Sequence, residues 1–190
     1  HIAGMGLYEL FINGQRIGDQ VLAPAPTDYR KTILYNTYDV TPQLRKENAI
    51  GVTLGNGRFY TMRQNYKPYK IPTFGYPKLR LNLIVEYMDG SKETIATNTS
   101  WKLTTEGAIR SNNEYDGEEY DARKELGNWT QSGYDDKSWI AAQRVSIPSG
   151  TLRAQIMPGM KVMDTLKPVS IQKLGDKYIL DFGQNMAGWV

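Results

Sequence analysis

The sequence predicts an all-β sandwich, and three observations carry that reading. Short runs of alternating apolar and polar residues recur along the chain, turn signals separate them, and no helical pattern of ten or more residues occurs. These meet in the stretch from Ile33 to Tyr60, around which the rest is organised. In it Ile33, Tyr35 and Thr37 alternate with Leu34, Asn36 and Tyr38, a β-branched and aromatic run that suits a half-buried strand. Thr41 then reads as an N-cap with Pro42 at the first helical position, where a missing N–H costs nothing. Arg45-Lys46-Glu47-Asn48 limits that helix to about one turn. Ala49, Gly51 and Thr53 alternate with Ile50, Val52 and Leu54 as a returning strand, and Gly55-Asn56-Gly57 supplies positive-φ residues for a sharp exit. The whole makes an antiparallel corner.

From the N-terminus, Leu7, Glu9 and Phe11 alternate with Tyr8, Leu10 and Ile12, and Asn13-Gly14 signals a tight hairpin with a short return over 15–19. Pro24 and Pro26 make 21–29 a loop. Tyr60, Tyr66, Tyr69, Phe74 and Tyr76 fall without a period in a long loop over 59–76, and loops of that length are functional or disordered; the aromatic content points to function. Leu79, Leu81, Leu83, Val85 and Tyr87 alternate with Lys78, Arg80, Asn82, Ile84 and Glu86, so 77–97 is a hairpin turning at Asp89-Gly90. A short strand follows at 101–105, a polar turn-rich segment at 107–116, and a return to the sheet at 118–123. Residues 134–139 form a turn that buries Trp139, with Trp129 nearby. Beyond the prolines at 158 and 168, Val169 to Gln172 and Tyr178 to Asp181 flank a Gly175-Asp176 turn. We expect a sandwich over 1–160, and over 161–190 a linker and the start of a following β-sandwich.

Composition narrows the function classes. Charged residues at 23% and hydrophobic residues at 40% are those of an ordinary folded protein. No apolar run approaches the ~20 residues of a membrane-spanning helix. The net charge of +3, from 23 basic and 20 acidic residues, is spread along the chain, and the densest basic cluster, 63–70, reads as a solvated loop. Neither nucleic acid nor membrane is an expected partner. Cysteine is absent and the single histidine is His1, which excludes disulfides, thiolate chemistry and a Ser-His-Asp triad. His1 is not an initiator Met and the chain stops on a strand-like Trp189-Val190, so we expect a piece of a longer chain. Asn98-Thr99-Ser100 and Asn128-Trp129-Thr130 match glycosylation triplets, which also arise by chance.

Several segments together resemble a known family. YDVTPQL…ENAIGVTLGNG, with Tyr8 to Gly14, Ala23-Pro24, Thr27-Asp28-Tyr29, Asp116 to Arg123 and Asp181 to Trp189, is similar to the N-terminal β-sandwich region of bacterial α-L-rhamnosidases of glycoside hydrolase family 78. The resemblance spans nearly the whole chain. It implies an antiparallel jelly-roll sandwich of galactose-binding-like type, acting as a carbohydrate-binding-like accessory domain. It also implies a parent enzyme that hydrolyses terminal α-L-rhamnosides, with catalytic carboxylates in a later (α/α)6-barrel domain of the same chain. The partners implied are rhamnose-containing glycosides and that barrel. Periplasm or secretion is favoured over the cytoplasm. An alternative is a structural spacer with no sugar binding of its own.

Glycoside hydrolysis needs two carboxylates at defined separation. Glu114, Asp116, Glu118, Glu119 and Asp121 are the pool, and on a strand Arg123 would share a face with Asp121 as a structural ion pair. Structural, sugar-binding and metal-binding roles stay open for them, and we assign no catalytic residue. A sugar offers an apolar face and a rim of hydroxyls, so its site combines an aromatic platform with amides and charged groups. Tyr29, Asn56, Arg58, Tyr60, Asn113, Tyr115 and Asp116 are the candidate carbohydrate-binding residues, with Tyr66, Tyr69 and Asn112 near them in sequence. Some relatives bind L-rhamnose through calcium held by loop oxygens, which makes calcium a possible cofactor and Asp28, Asn56 and Asp116 its possible ligands. After Gly55-Asn56-Gly57 the resemblance implies Trp-Tyr, whereas this chain has Arg58-Phe59-Tyr60; if that Trp is the stacking platform in sugar-binding relatives, its replacement by Arg58 weakens the sugar-binding reading.

Overall fold

The computed structural model describes residues 1–61, 73–113 and 117–185. Among these residues the strands run, in order, β1 (Ile2–Met5), β2 (Leu7–Ile12), β3 (Gln15–Arg16), β4 (Thr32–Tyr35), β5 (Ile50–Gly55), β6 (Lys78–Glu86), β7 (Lys92–Ala96), β8 (Lys102–Leu103), β9 (Ile109–Asn113), β10 (Gly117–Tyr120), β11 (Ile140–Ala141), β12 (Thr151–Ala154), β13 (Ser170–Leu174) and β14 (Lys177–Asp181). Two single-turn 3₁₀ helices, Thr41–Gln43 and Ala122–Lys124, are the only other regular elements among the described residues. None of the described helices is long and apolar enough to cross a membrane. The chain divides into two compact units, His1–Met160 and Lys161–Val190.

The first unit is a sandwich. One layer orders its strands β12-β4-β1-β6-β7: β1 pairs antiparallel with β6, β6 with β7, and β12 lies parallel to β4. The link from β4 to β1 is a single antiparallel bridge in which Ile2 and Asn36 exchange both backbone hydrogen bonds at 2.9 Å. The facing layer is β3-β2-β5, all antiparallel. Alternation sends Ile2, Leu79, Leu81 and Leu83 from one layer, and Tyr8, Leu10, Ile12, Ile50, Val52 and Leu54 from the other, into a shared core. The second unit is described by a hairpin, β13-β14, in register from Ser170↔Asp181 to Leu174↔Lys177.

Strand β1 explains the layering. All four of its residues are buried. Ile2 belongs to the core between the layers, while Ala3 and Met5 point the other way into a second cluster with Tyr29, Ile33 and Phe59. A strand covered on both faces has no polar alternation, which is why the sequence shows no strand there.

Three local expectations are corrected. The strands flanking the 41–43 turn do not pair with each other: β4 lies beside β12 and β5 beside β2, so the corner passes between layers. Thr41 is not the cap of its helix; Asp39 Oδ1 accepts the Thr41 N–H at 3.0 Å, so an Asx turn does the capping work two residues earlier. The segment read as polar turns over 107–116 contains β9, which pairs with β10 as an exposed ribbon. That ribbon ends at Tyr120, and Asp121 caps the following turn by accepting from the Arg123 N–H. The expected Asp121–Arg123 ion pair is present at 2.8 Å, but a cap creates it and not strand alternation.

The Asn13-Gly14 turn is built as expected, with φ of 52° and 82°. Gly51 faces out from β5 against Trp129, and a Cβ there would meet the indole at 2.7 Å. Trp129 in turn packs on Phe11 and Trp139, at 5.9 and 6.1 Å between ring centres, and so lines the outer face of β2.

Candidate functional site

The site grows from the exit of β5. Gly57 sits at φ 46°, and a Cβ there would come within 2.9 Å of Leu7, so the turn is both left-handed and tightly seated. Of the three corner residues it alone takes positive φ. Within the same turn the Asn56 carbonyl accepts the N–H groups of Phe59 and Tyr60 at 3.1 and 3.2 Å. Asn56 also locks the corner to β9: its backbone N–H donates to Asn112 Oδ1 at 2.9 Å, and its side-chain Nδ2 donates to the Asn112 carbonyl at 2.8 Å. Two amides read each other like a ladder rung, which brings the β5 exit beside the β9–β10 ribbon. Asn113, half-buried, follows on β9 opposite Gly117.

Phe59 is the anchor of this corner and is 0% exposed. Its ring meets Tyr29 edge-on at 4.9 Å and stacks on Phe74 at 5.4 Å. Lys78 Nζ stands 4.7 Å from the ring centre and donates to the carbonyls of Phe74 and Tyr76 at 3.1 and 3.2 Å. Burial lowers the Lys78 pKa. With Phe59 held inward, Tyr60 turns outward onto Tyr76, ring centres 4.9 Å apart and tilted by 34°. Tyr76 is 74% exposed. Desolvation first, and Tyr76 second, raise the Tyr60 phenol. The pair forms a polar-rimmed aromatic ledge beside Asn56.

The sequence candidates therefore separate. Asn56 and Tyr60 share one turn, and the interlock sets Asn113 near them. Arg58 projects as an exposed side chain from that turn. Tyr29 does not join them: at 3% exposure, packed against Phe59 and Phe74, it is a core residue with no ring face to offer a sugar. Tyr66, Tyr69, Glu114, Tyr115 and Asp116 lie outside the described residues. Tyr76, in sequence one loop aromatic among several, is the partner of Tyr60. Its only sequence signal is an aromatic placed directly before Pro77 at a strand entry.

The calcium set fares less well on chemistry. Both carboxylate oxygens of Asp28 accept from Arg30, at 2.9 and 3.1 Å, and that contact holds the Asp28 pKa below its usual range. An oxygen pair satisfied by a guanidinium is a poor start for a cation site. Among the described residues no three His, Cys, Asp or Glu side chains gather within reach of one ion. Glu118 and Glu119 stand exposed on β10, opposite Asn112 and Ser111.

Comparison with known proteins completes the picture. The sequence profile of the alpha-L-rhamnosidase N-terminal domain matches residues 1–164. An alpha-L-rhamnosidase of Formosa agariphila is 42% identical over 196 residues, covering 100% of this chain and 20% of that protein. Among solved structures, the alpha-L-rhamnosidase of Dictyoglumus thermophilum superposes with a TM-score of 0.84 at 45% identity over 97% of this chain and 20% of its own. The Streptomyces avermitilis alpha-L-rhamnosidase, solved in complex with L-rhamnose, gives a TM-score of 0.83 at 35% identity over 97% of this chain and 18% of its own. The chain thus spans about one fifth of the length of the relatives it matches.

Proposed function

Because the chain belongs to the alpha-L-rhamnosidase N-terminal domain family, we propose that it is the substrate-recognising, non-catalytic part of a longer alpha-L-rhamnosidase. In this reading residues 1–160 are a carbohydrate-binding-like accessory domain, and 161–190 are the linker and first strands of a following β-sandwich. The rest of the parent chain supplies an (α/α)6 barrel whose acid and base carboxylates hydrolyse a terminal α-L-rhamnoside. The observation that supports recognition is the ledge of Tyr60 and Tyr76 beside the interlocked Asn56 and Asn112. The rings offer a face to the apolar side of a sugar, and the amides, with Asn113 and Arg58, offer donors and acceptors to its hydroxyls. Calcium, if used, draws its ligands from outside the Asp28–Arg30 pair.

A second reading, a spacer that binds no free sugar, is favoured by the burial of Tyr29, which removes one ring from the site. Isothermal titration of the 190-residue chain with L-rhamnose, with calcium and again with chelator, separates the two. Recognition predicts millimolar or tighter binding, worth about −4 kcal/mol or more. Absence of heat from folded protein under both conditions leaves the spacer.

A further inference from the structure

The outer face of the larger layer carries a feature that the ledge does not use. Alternation along β6 sends Leu79, Leu81 and Leu83 into the core, so Lys78, Arg80 and Asn82 face outward. Arg80 lies opposite Ala3. On the other side of β1, Tyr35 ends β4 and Leu152 comes from β12. His1, Ala3, Tyr35, Arg80, Asn82 and Leu152 line an open hollow of about 230 Å³. The His1 imidazole meets the Tyr35 ring edge-on at 5.7 Å and bonds Thr37 Oγ1 through Nδ1 at 2.7 Å, which fixes one wall.

The polar groups of this hollow are unspent. Among the described residues the Arg80 guanidinium, the Asn82 carboxamide and the Tyr35 hydroxyl have no hydrogen-bond or ion-pair partner. Two other long cations of the sheet are engaged, Lys78 with two carbonyls and a ring and Lys92 with Glu86. Glu86, the only carboxylate facing outward from β6, is six residues beyond Arg80, roughly 20 Å at ~3.3 Å per residue, and is already paired. The local field is therefore positive, with a planar five-donor fork at its centre, an amide on one side and a phenol across from it. Ala3 and Leu152 supply an apolar floor. The volume is below the ~300 Å³ of a drug-sized pocket, which suits a single sugar ring.

We propose that this hollow is a second saccharide subsite that takes a carboxylate-bearing sugar, the carboxylate on Arg80 and the ring hydroxyls on Asn82 and Tyr35. A bidentate guanidinium–carboxylate pair sets the charge preference and the orientation, and the neutral groups select a sugar over a bare anion. That the ligand is a saccharide rests on the recognition reading above; the preference for an anion rests on the hollow alone.

The test is a ¹⁵N–¹H titration of the 190-residue chain with D-glucuronate, D-glucose, inorganic phosphate and L-rhamnose. D-glucuronate is expected to shift the amides of Ala3, Tyr35, Arg80 and Asn82 saturably, at least tenfold more tightly than D-glucose, and to weaken as salt rises. Arg80→Gln should lower D-glucuronate affinity about tenfold or more with an unchanged melting temperature, and Arg80→Lys, which keeps charge but loses the fork, should fall between. Equal binding of glucuronate and glucose, shifts confined to other surfaces, or Arg80→Gln binding as the parent does would overturn the proposal. Phosphate shifting the same amides as tightly as glucuronate would overturn the saccharide assignment. L-rhamnose reads the Asn56–Tyr60 amides instead, so failure of the ledge and failure of the hollow are seen separately.

Discussion

Phe59 ties the fold to the ledge, and truncating it to alanine is the most informative perturbation of this chain. The side chain is fully enclosed, paired with two rings and capped by the Lys78 ammonium. Removing such a phenylalanine costs about 3–5 kcal/mol, the transfer term plus the cavity left behind. Against a domain stability of about 5–15 kcal/mol that is a large fraction, and at ~2–4 °C per kcal/mol it lowers the melting temperature by roughly 6–20 °C. Phe59→Leu keeps most of the apolar volume and loses the two ring pairs and the ammonium contact, about 1.5–4 kcal/mol in all. Urea unfolding followed by tryptophan fluorescence, with an unchanged denaturant slope, measures both. The Phe74 amide, which donates to the Phe59 carbonyl at 3.0 Å, should exchange faster in the alanine variant. A cost below about 1 kcal/mol for Phe59→Ala would refute the reasoning, because it would mean that the corner holds without its anchor.

Three further outcomes follow from other residues. Tyr76→Ala should cut L-rhamnose affinity about tenfold, as loss of a stacking face does, while leaving the unfolding midpoint nearly in place because the ring is 74% exposed; titration calorimetry and urea unfolding read the two quantities. Asn13 contributes a φ of 52°, donates to the Gln43 carbonyl and Asn48 Oδ1 at 2.8 and 2.9 Å, and accepts the Ala49 N–H at 2.9 Å. Asn13→Gly keeps the turn and loses those bonds, about 1–3 kcal/mol, and Asn13→Ala should cost more because it adds backbone strain; equal costs would show that the left-handed conformation carries no weight. Burial, then hydrogen bonding and charge interaction with Tyr38, raises the Tyr8 pKa above its ordinary 10.0. The folded state thus holds the proton more tightly than the unfolded state. Stability is intact below about pH 10 and falls above it by up to about 1.4 kcal/mol per unit; Tyr8→Phe should flatten that slope, and an identical slope in both proteins would remove Tyr8 from the account.

How much of this was legible in the sequence depended on whether burial was one-sided. The 77–97 hairpin and β2 each cover one face, so their alternation is visible, and Asn13-Gly14 and Asp89-Gly90 name their turns. Strand β1 is buried on both faces, and Ile-Ala-Gly-Met shows no period to read. Strand β9 fails in the opposite way: Ile109 to Asn113 is polar because its ribbon faces solvent, and it resembles a string of turns. The parallel pairing of β12 with β4 joins segments far apart in the chain, and no local pattern encodes such a partner.

The same distinction explains the site. Family resemblance drew attention to the Gly55-Asn56-Gly57 corner, and the residues that a turn alone can place, Asn56 and Tyr60, fall together. Whether a tyrosine points into a core or out to solvent is decided by its neighbours in space. Tyr29 and Tyr60 look alike in sequence, each a tyrosine in a loop segment, yet Phe59 takes the inward position beside Tyr29 and leaves Tyr60 the outward one. In the proposed site that division gives a reason for Arg58 where the family resemblance implies a tryptophan. If the Tyr60–Tyr76 pair is the stacking face of the proposed site, the position after Gly57 can carry a charge and the ring sits two residues further along the chain. If Arg58 orients a hydroxyl in that arrangement, Arg58→Trp should not improve L-rhamnose binding over the parent chain, and titration of that variant measures it. A gain of tenfold or more would show instead that the ring belongs at position 58 and that the ledge is only a packed surface.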